Sequence, residues 1–465
     1  LNLPLNKSTI IVGAGGGGIV SALLSAKRGD KVTLLESHSA LGGCASWFRR
    51  GQFIFDAGAT TISGVGESEP LGELFNLIGK VPALHPSDPG IVFHLSSGQV
   101  VRFYRDFDKW MDELYRNFPH LNHRPFWEKI FLINKKSWAL LRDVRTFPFR
   151  SISDLLPVFK HPEYFSLVSY LFLSTEHVLK SFGLDHPSYL ELINGILLIS
   201  AQANSDKIPF IVGAMALSYP AQTYAPVGGM KGLMDFFEQQ LNDLGVLVRK
   251  KSKVCFFEKG LVGLESGEII AGDQIILNLP IWNLQEISKG DLKKTFEFEA
   301  KKRPEAWGAF TVYFGTAGDH TELYHQVHLN HPLVKNYFLS FSVPGDEKRA
   351  PPGLQAVTIS THVFVSEEIN REVLLSVIMD DVKRRFNLKE FKFVTTGTPK
   401  TFERYTGRKN GFVGGLPFLY GMNPQSILSP LTQVEGIYRV GDTVFPGQGL
   451  CGVAAGALGL HHRLV

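Results

Sequence analysis

The tract Gly13-Ala14-Gly15-Gly16-Gly17-Gly18 restricts the folding of this chain more than any other. Glycine adopts backbone angles that side chains forbid, so such a run belongs in a tight turn that another backbone or a ligand approaches closely. The β-branched residues Thr9-Ile10-Ile11-Val12 before it predict a strand, and the small and apolar residues from Ile19 to Arg28 predict a helix ending near Gly29. Lys31-Val32-Thr33-Leu34-Leu35 predicts a second strand with Glu36 at its end. Gly13, Gly15 and Gly18 satisfy GxGxxG: the first permits the turn, the second lets a pyrophosphate reach the backbone, and the third lets helix and strand pack closely. Phosphate would sit at the helix N-terminus beside Gly16, and Glu36 would accept hydrogen bonds from a ribose. Strand, turn, helix, strand and acid in this order predict a dinucleotide site. The acid favours the free 2′-hydroxyl of NAD or FAD over the 2′-phosphate of NADP.

The chain has 465 residues, 44% hydrophobic and 20% charged, which suits two or three packed domains and excludes disorder or a fibrous repeat. With 48 basic and 44 acidic side chains the net charge is +4, too small for a nucleic-acid footprint, and no nucleic-acid partner is expected. Runs such as Lys250-Lys251 and Lys301-Lys302-Arg303 read as solvated surface. Cys44, Cys255 and Cys451 are odd in number and far apart, which argues against a disulfide framework or a zinc site and for a reducing compartment. Two charge-poor tracts test for a membrane span. Residues 208–230 contain Pro209, Pro220 and Pro226 and predict an irregular buried segment, while 443–460 contain Pro446 and Gln448 and predict a buried loop and helix. The first residues lack the charged, apolar and cleavage regions of a signal peptide. The expected location is therefore the cytoplasm, peripheral on the cytoplasmic membrane.

Beyond Glu36 come Gly42-Gly43-Cys44-Ala45-Ser46 and then Phe55-Asp56-Ala57-Gly58-Ala59-Thr60-Thr61. A second glycine pair just after the ribose acid, followed by a small-residue turn, resembles the extended fingerprint of FAD enzymes of the amine oxidase and phytoene desaturase superfamily. Many members carry an arginine where this chain has Cys44, so the resemblance implies no guanidinium contact from that position. Near the other end, residues 436–440 predict a strand ending at Gly441-Asp442, followed by Phe445-Pro446-Gly447-Gln448-Gly449-Leu450 and a helix through Val453 to about His461. This resembles the C-terminal flavin motif of carotenoid desaturases and isomerases. It implies that Asp442 binds the ribityl chain and that the helix opening at Gly449 and Leu450 points its N-terminus at the flavin pyrimidine ring, where its dipole favours reduction. Pro226-Val227-Gly228-Gly229-Met230 introduces an amphipathic helix to Leu244, followed by strands at 246–249 and 253–257. The same likeness implies that the Val254 backbone lies beside the adenine.

The resemblance covers residues 9–61, 225–257 and 404–462. Residues 42–46 and 55–61 look like carotenoid C-3′,4′ desaturases, and 445–449 look like carotenoid isomerases and retinol saturases. The fold class implied is α/β: a Rossmann-like FAD-binding domain of the glutathione reductase and amine oxidase type, with a second α+β substrate domain on an antiparallel sheet. The expected cofactor domain comprises 1–88 with 225–300 and 404–465. The expected substrate-binding and membrane-associating domain comprises 89–224 with 301–403. There, residues 91–103 read as a hairpin, 309–314, 338–343 and 356–364 as strands, and 106–203 as aromatic-rich helices interspersed with Lys129, Lys135, Lys136 and Arg142. These apolar stripes suit either a core or an interfacial surface collecting a hydrophobic polyene from lipid.

No Ser/His/Asp order, HExxH or paired-carboxylate motif stands out, so no catalytic residue and no metal ligand is assigned. Glu322, His325 and His328 read as surface or core residues. A flavin would carry the redox chemistry while the protein binds and orients. The implied activity is desaturation at a carotene C-3′,4′ bond by hydride transfer from an allylic carbon to flavin. The alternatives are a polyene isomerase, a retinol saturase-like enzyme, and, from another class, a prenyl-protein carrier of the GDP-dissociation-inhibitor type. With no second GxGxxG after a strand, the electron acceptor is left open among oxygen, a quinone or another acceptor.

Overall fold

The computed structural model describes residues 6–303, 306–367, 369–423 and 426–464; the outer domain limits drawn at 1 and 465 lie outside these residues. Five parallel strands form one sheet in the order Ile437–Arg439, Gln274–Leu277, Ser8–Val12, Lys31–Leu35 and Leu247–Arg249. The central strands are buried on both faces, which explains the continuous apolar runs Ile10 to Val12 and Ile275 to Leu277. On one face the helix Gly16–Lys27 packs against the C-terminal helix Gly449–Leu464, with Ile19, Val20 and Leu23 in one core with Ala454, Ala457 and Leu458. The two ends of the sequence therefore build one layer. The other face carries a three-stranded antiparallel sheet, Val254–Glu258, Leu261–Leu264 and Ile269–Ala271, packed with the helices Ile281–Ile287 and Asp291–Lys301 through Phe257, Trp282 and Phe296.

A second sheet has seven strands in the order Lys392–Gly397, Trp307–Ala317, Leu354–Phe364, Asn336–Phe341, Tyr324–His328, Ile91–His94 and Val100–Phe103. It corrects the expectation of a purely antiparallel sheet: Tyr324–His328 pairs in parallel with Ile91–His94, placing His325 opposite Val92. That hairpin comes from far upstream, so packing rather than a short turn sets its direction. Tyr324–His328, polar at His325, Gln326 and His328, and Lys392–Gly397, exposed over its first half, were also not among the expected strands.

Helices Phe107–Asn117, Arg124–Asp143, Pro187–Ser200 and Phe210–Leu217 bury Trp110, Trp127, Tyr189 and Phe210 against the hairpin end of this sheet. Trp110 stacks on Phe103 with centroids 4.0 Å apart, and Trp127 meets both rings edge-on. Asp106 starts the first of these helices by accepting the Lys109 amide at 2.9 Å. The segment expected to be irregular at 208–230 is buried but more regular than its prolines suggest. Pro209 immediately precedes the helix Phe210–Leu217, where its missing N–H is harmless, and a 3-10 turn Tyr219–Gln222 and the strand Tyr224–Pro226 follow. Among the described residues no helix is long and apolar enough to cross a membrane.

Candidate cofactor-binding site

The first strand ends at Gly13, which has φ +95° and whose Cβ, were there one, would lie 2.7 Å from the Asn278 carbonyl oxygen. A Cβ on Gly18 would lie 2.0 Å from the Gly13 carbonyl oxygen, so only glycine lets the helix sit this close to the strand. Gly15 and Gly42 pair as a short parallel bridge, the Gly42 amide donates to the Ala14 carbonyl at 2.8 Å, and a Cβ on Gly43 would come within 3.4 Å of the Gly15 Cα. The first and second glycine segments are thus one surface. The helix Gly16–Lys27 begins without a capping side chain and with no acid in its first turn, leaving its amides and dipole for an anion.

Glu36 is buried at the end of the second strand. It accepts the Ala14 and His38 amides, each at 2.8 Å, which holds its carboxylate over the turn. The Ser252 amide donates to the Glu36 carbonyl at 2.8 Å, and Val254 begins the neighbouring small sheet two residues later. Val254 lies outside the glycine cluster and is linked to it through that strand end.

The C-terminal motif arrives from the other side. Gly441 has φ +111°, and its amide nitrogen is 3.1 Å from where a Gly17 Cβ would stand. Leu450 and Val453 press on Gly16, whose Cβ would approach them to 2.5 and 3.0 Å, and Gly449, with φ +78°, opens their helix. The Asp442 carboxylate accepts the Arg408 guanidinium at 2.8 Å. Cys44 stands near this pair: burial pushes its thiol up, and the charge of Arg408 partly opposes that.

The run after the second glycine pair folds back on it. The Ala59 amide donates to the Cys44 carbonyl at 3.1 Å, the Ala57 amide to the Ser46 carbonyl at 2.9 Å, and the Ala45 amide to the Gly42 carbonyl at 3.0 Å. Three tyrosines from elsewhere hold it. Tyr313 donates to the Ala57 carbonyl at 2.6 Å, Tyr324 to the Thr60 carbonyl at 3.1 Å, and the Tyr219 and Thr61 hydroxyls share a hydrogen bond. Burial pushes all three phenols above their ordinary range, so they stay protonated.

The structure therefore brings together Gly13, Gly15, Gly16, Gly18, Glu36, Gly42 to Ser46, Thr60, Gly441, Asp442, Gly449, Leu450 and Val453. Asn278, absent from the sequence reading, ties three parts of this cluster: its Nδ2 donates to the Gly13 carbonyl at 3.1 Å, and its Oδ1 lies 2.8 and 2.9 Å from where Cβ atoms on Gly17 and Gly441 would stand. Its signal was a polar residue closing the apolar run Ile275 to Leu277. Arg408 and the three tyrosines were also missed as site residues, since nothing local in sequence marks their partners. Glu322 accepts Arg102 Nε at 2.6 Å, and His325 is buried against His94 with their ring nitrogens 3.2 Å apart. Among the described residues no group of three or more His, Cys, Asp or Glu is placed to hold a metal.

A glycine cradle closed to side chains, an uncapped helix start and a strand-end carboxylate suit a dinucleotide, and the C-terminal helix start suits a second ring system beyond it. The family model described as flavin-containing amine oxidoreductase matches residues 17–443. Prolycopene isomerase from Daucus carota chloroplasts is 27% identical, covering 98% of this chain and 79% of its own. A lycopene-forming phytoene desaturase from Pseudescherichia vulneris is 23% identical over 69% of this chain and 65% of its own. Cyclohexylamine oxidase from Brevibacterium oxydans has the same fold, with a TM-score of 0.62 over 99% of both chains at 15% identity. The chain thus belongs to the flavin-containing amine oxidoreductase family and is an FAD-dependent oxidoreductase.

Proposed function

We propose that this flavoenzyme acts on a carotenoid polyene. Gly13, Gly15, Gly16 and Gly18 hold the FAD pyrophosphate, Glu36 the ribose and the Val254 backbone the adenine. Gly42, Gly43, Cys44, Ala45, Ser46 and Thr60 line the middle of the cofactor. Gly441 and Asp442 bind the ribityl chain, and Gly449, Leu450 and Val453 meet the flavin end. FAD supplies hydride acceptance or donation when bound. The chain's own residues orient it: Asn278 fixes the turn, and the tyrosines fix the wall between cofactor and substrate. Residues 1–88, 225–300 and 404–465 make up the cofactor part, and 89–224 with 301–403 the substrate part.

One observation carries the reading. The run Ala57 to Thr61 folds against the second glycine segment and is also hydrogen-bonded by Tyr313 and Tyr324, which come from strands of the seven-stranded sheet. That sheet carries the aromatic helical layer, so an apolar substrate lying there would share a wall with the cofactor. The match to prolycopene isomerase along 98% of the chain supports cis-trans isomerisation as the first outcome. Desaturation at a C-3′,4′ bond is the second, supported by the desaturase-like residues 42–46 and 55–61. Isomerisation needs no net electron acceptor, whereas desaturation hands two electrons to oxygen, a quinone or another acceptor.

Supplying the anaerobic FAD-loaded protein with a poly-cis carotene, before and after reducing the flavin, separates the two. Isomerisation predicts a product of unchanged mass and a flavin spectrum that is the same before and after turnover. A product two hydrogens lighter, formed as oxidised flavin bleaches, would reverse the order. No change in any carotene offered would remove the carotenoid reading.

A further inference from the structure

Arg408, in the stretch 404–415 whose Gly407-Arg408 and Gly414-Gly415 look desaturase-like, is a buried cation close to the cofactor site to which the sequence reading gave no role there. Its side chain is 13% exposed and that of Asp442 is 18% exposed. Its Nη2 donates to Asp442 Oδ2 at 2.8 Å and its Nε to the Phe412 carbonyl at 2.5 Å. Among the described residues the other Asp442 oxygen takes no hydrogen bond from the protein. The loop presenting Arg408 is built rather than loose. Asn283 bridges it, donating to the Gly407 carbonyl at 2.7 Å and accepting the Lys409 amide at 3.1 Å, while Trp282 packs on Phe412 with centroids 4.8 Å apart. Asn283 stands five residues after Asn278, so one short stretch fixes both the glycine turn and the arginine loop.

We propose that Arg408 is a positioning residue of the flavin site: it grips one Asp442 oxygen, leaves the other for a ligand hydroxyl, and neutralises a carboxylate that would otherwise face the reduced flavin. The physical argument is charge balance. Reduction of a flavin bound at the helix start of Gly449–Leu464 would add negative charge, and an unpaired, partly buried carboxylate in the same site would oppose it. A guanidinium held by two hydrogen bonds pairs with it without reorienting on reduction. The inference rests on FAD occupying the site and is independent of the polyene.

The test compares R408Q, R408K, D442N and wild-type holoprotein by FAD retention and by dye-equilibrated anaerobic reduction. R408Q leaves the carboxylate uncompensated, so its preference for reduced over oxidised flavin should fall at least tenfold, about 30 mV more negative for a two-electron couple. D442N removes the negative charge and should shift the preference the opposite way. R408K keeps the charge and should stay within twofold of wild type while retaining FAD less firmly. Shifts of the same sign in R408Q and D442N, or no shift in R408Q, overturn the proposal, because a merely structural role has no reason to follow the sign of the charge. If R408Q does not fold, the D442N and R408K values decide alone, and failure of either overturns it. Wild-type protein that retained no flavin would overturn the cofactor reading beneath it.

Discussion

At the scale of single residues, Asp56 and Arg349 pair the strand Phe53–Asp56 with the loop that leads into Leu354–Phe364. Asp56 ends the strand Phe53–Asp56, and its carboxylate accepts the Met230 amide and Arg349 Nη1, both at 2.7 Å. Arg349 also donates through Nε to the Ile54 carbonyl at 3.0 Å. Both side chains are buried, and burial raises the Asp56 pKa although Arg349 and the Met230 amide oppose the shift. Removing one member leaves an uncompensated buried charge, which costs far more than the intact pair contributes. Arg349→Met should therefore lower stability by about 3–5 kcal/mol, and adding Asp56→Asn should recover part of it. Urea unfolding of the three variants measures both quantities, and an additive double variant would show that the two residues do not act as a pair. Asp56 was visible in sequence only as one letter of a small-residue turn. Its partner lies 293 residues away, a separation that no local pattern reports.

At the scale of elements, the segment from Ile152 to Phe172 is unlike the rest of the helical layer. It breaks into short turns, Ile152–Leu155, Leu156–Phe159, Pro162–Tyr164, Phe165–Val168 and Ser169–Leu171, which leave large apolar side chains in solvent. Ile152 is 85% exposed, Phe172 70% and Phe159 67%, with Arg150 and Lys160 beside them. By contrast, Trp110, Trp127 and Tyr189 in the longer helices are fully buried. The sequence reading kept core and interface open for all these stripes. Helix length and packing separate them, because a helix of several turns buries a continuous stripe, whereas single turns scatter their side chains. This element is the one we propose rests on lipid. Replacing Ile152, Phe159 and Phe172 together with serine should abolish co-flotation with anionic vesicles and leave FAD retention unchanged. A parent protein that does not float would remove the membrane reading, and equal flotation of variant and parent would remove this element from it.

At the scale of the whole molecule, acid stability follows from histidines buried in different layers. Burial lowers His94 to about 4, His325 to about 3 and His461 to about 3. His94 and His325 face each other, and His461 lies inside the C-terminal helix with neither ring nitrogen hydrogen-bonded. A histidine near 6.5 when unfolded but depressed when folded binds fewer protons in the native state. Its contribution is complete above about pH 6.5 and is lost as pH falls from there toward about 4 for His94 and about 3 for His325 and His461. At pH 5 each such histidine costs about 2 kcal/mol relative to neutral pH. Asp56 and Glu69, raised by burial, have the opposite slope, while His362, which burial lowers to about 4, adds to the histidine side. Urea midpoints should therefore fall steeply between pH 7 and 5 even in high salt, since desolvation is barely screened; a flat profile would contradict the assignment.

The sequence by itself determined the α/β cofactor fold and most of the residues in its cradle. Steric exclusion at Gly13 and Gly18 and the carboxylate at Glu36 are properties of local chain geometry, and local geometry is written in consecutive residues. The same holds for the glycine-rich helix start at Gly449. Only the tertiary structure decided that the hairpin at 91–103 joins the second sheet in parallel, that Asn278 stitches the glycine turn to Gly441, that tyrosines from another sheet clamp residues 57–61, and that Arg408 occupies Asp442. Each is a contact between segments far apart in the chain, chosen by how whole layers pack and by where a buried polar group can find its partner.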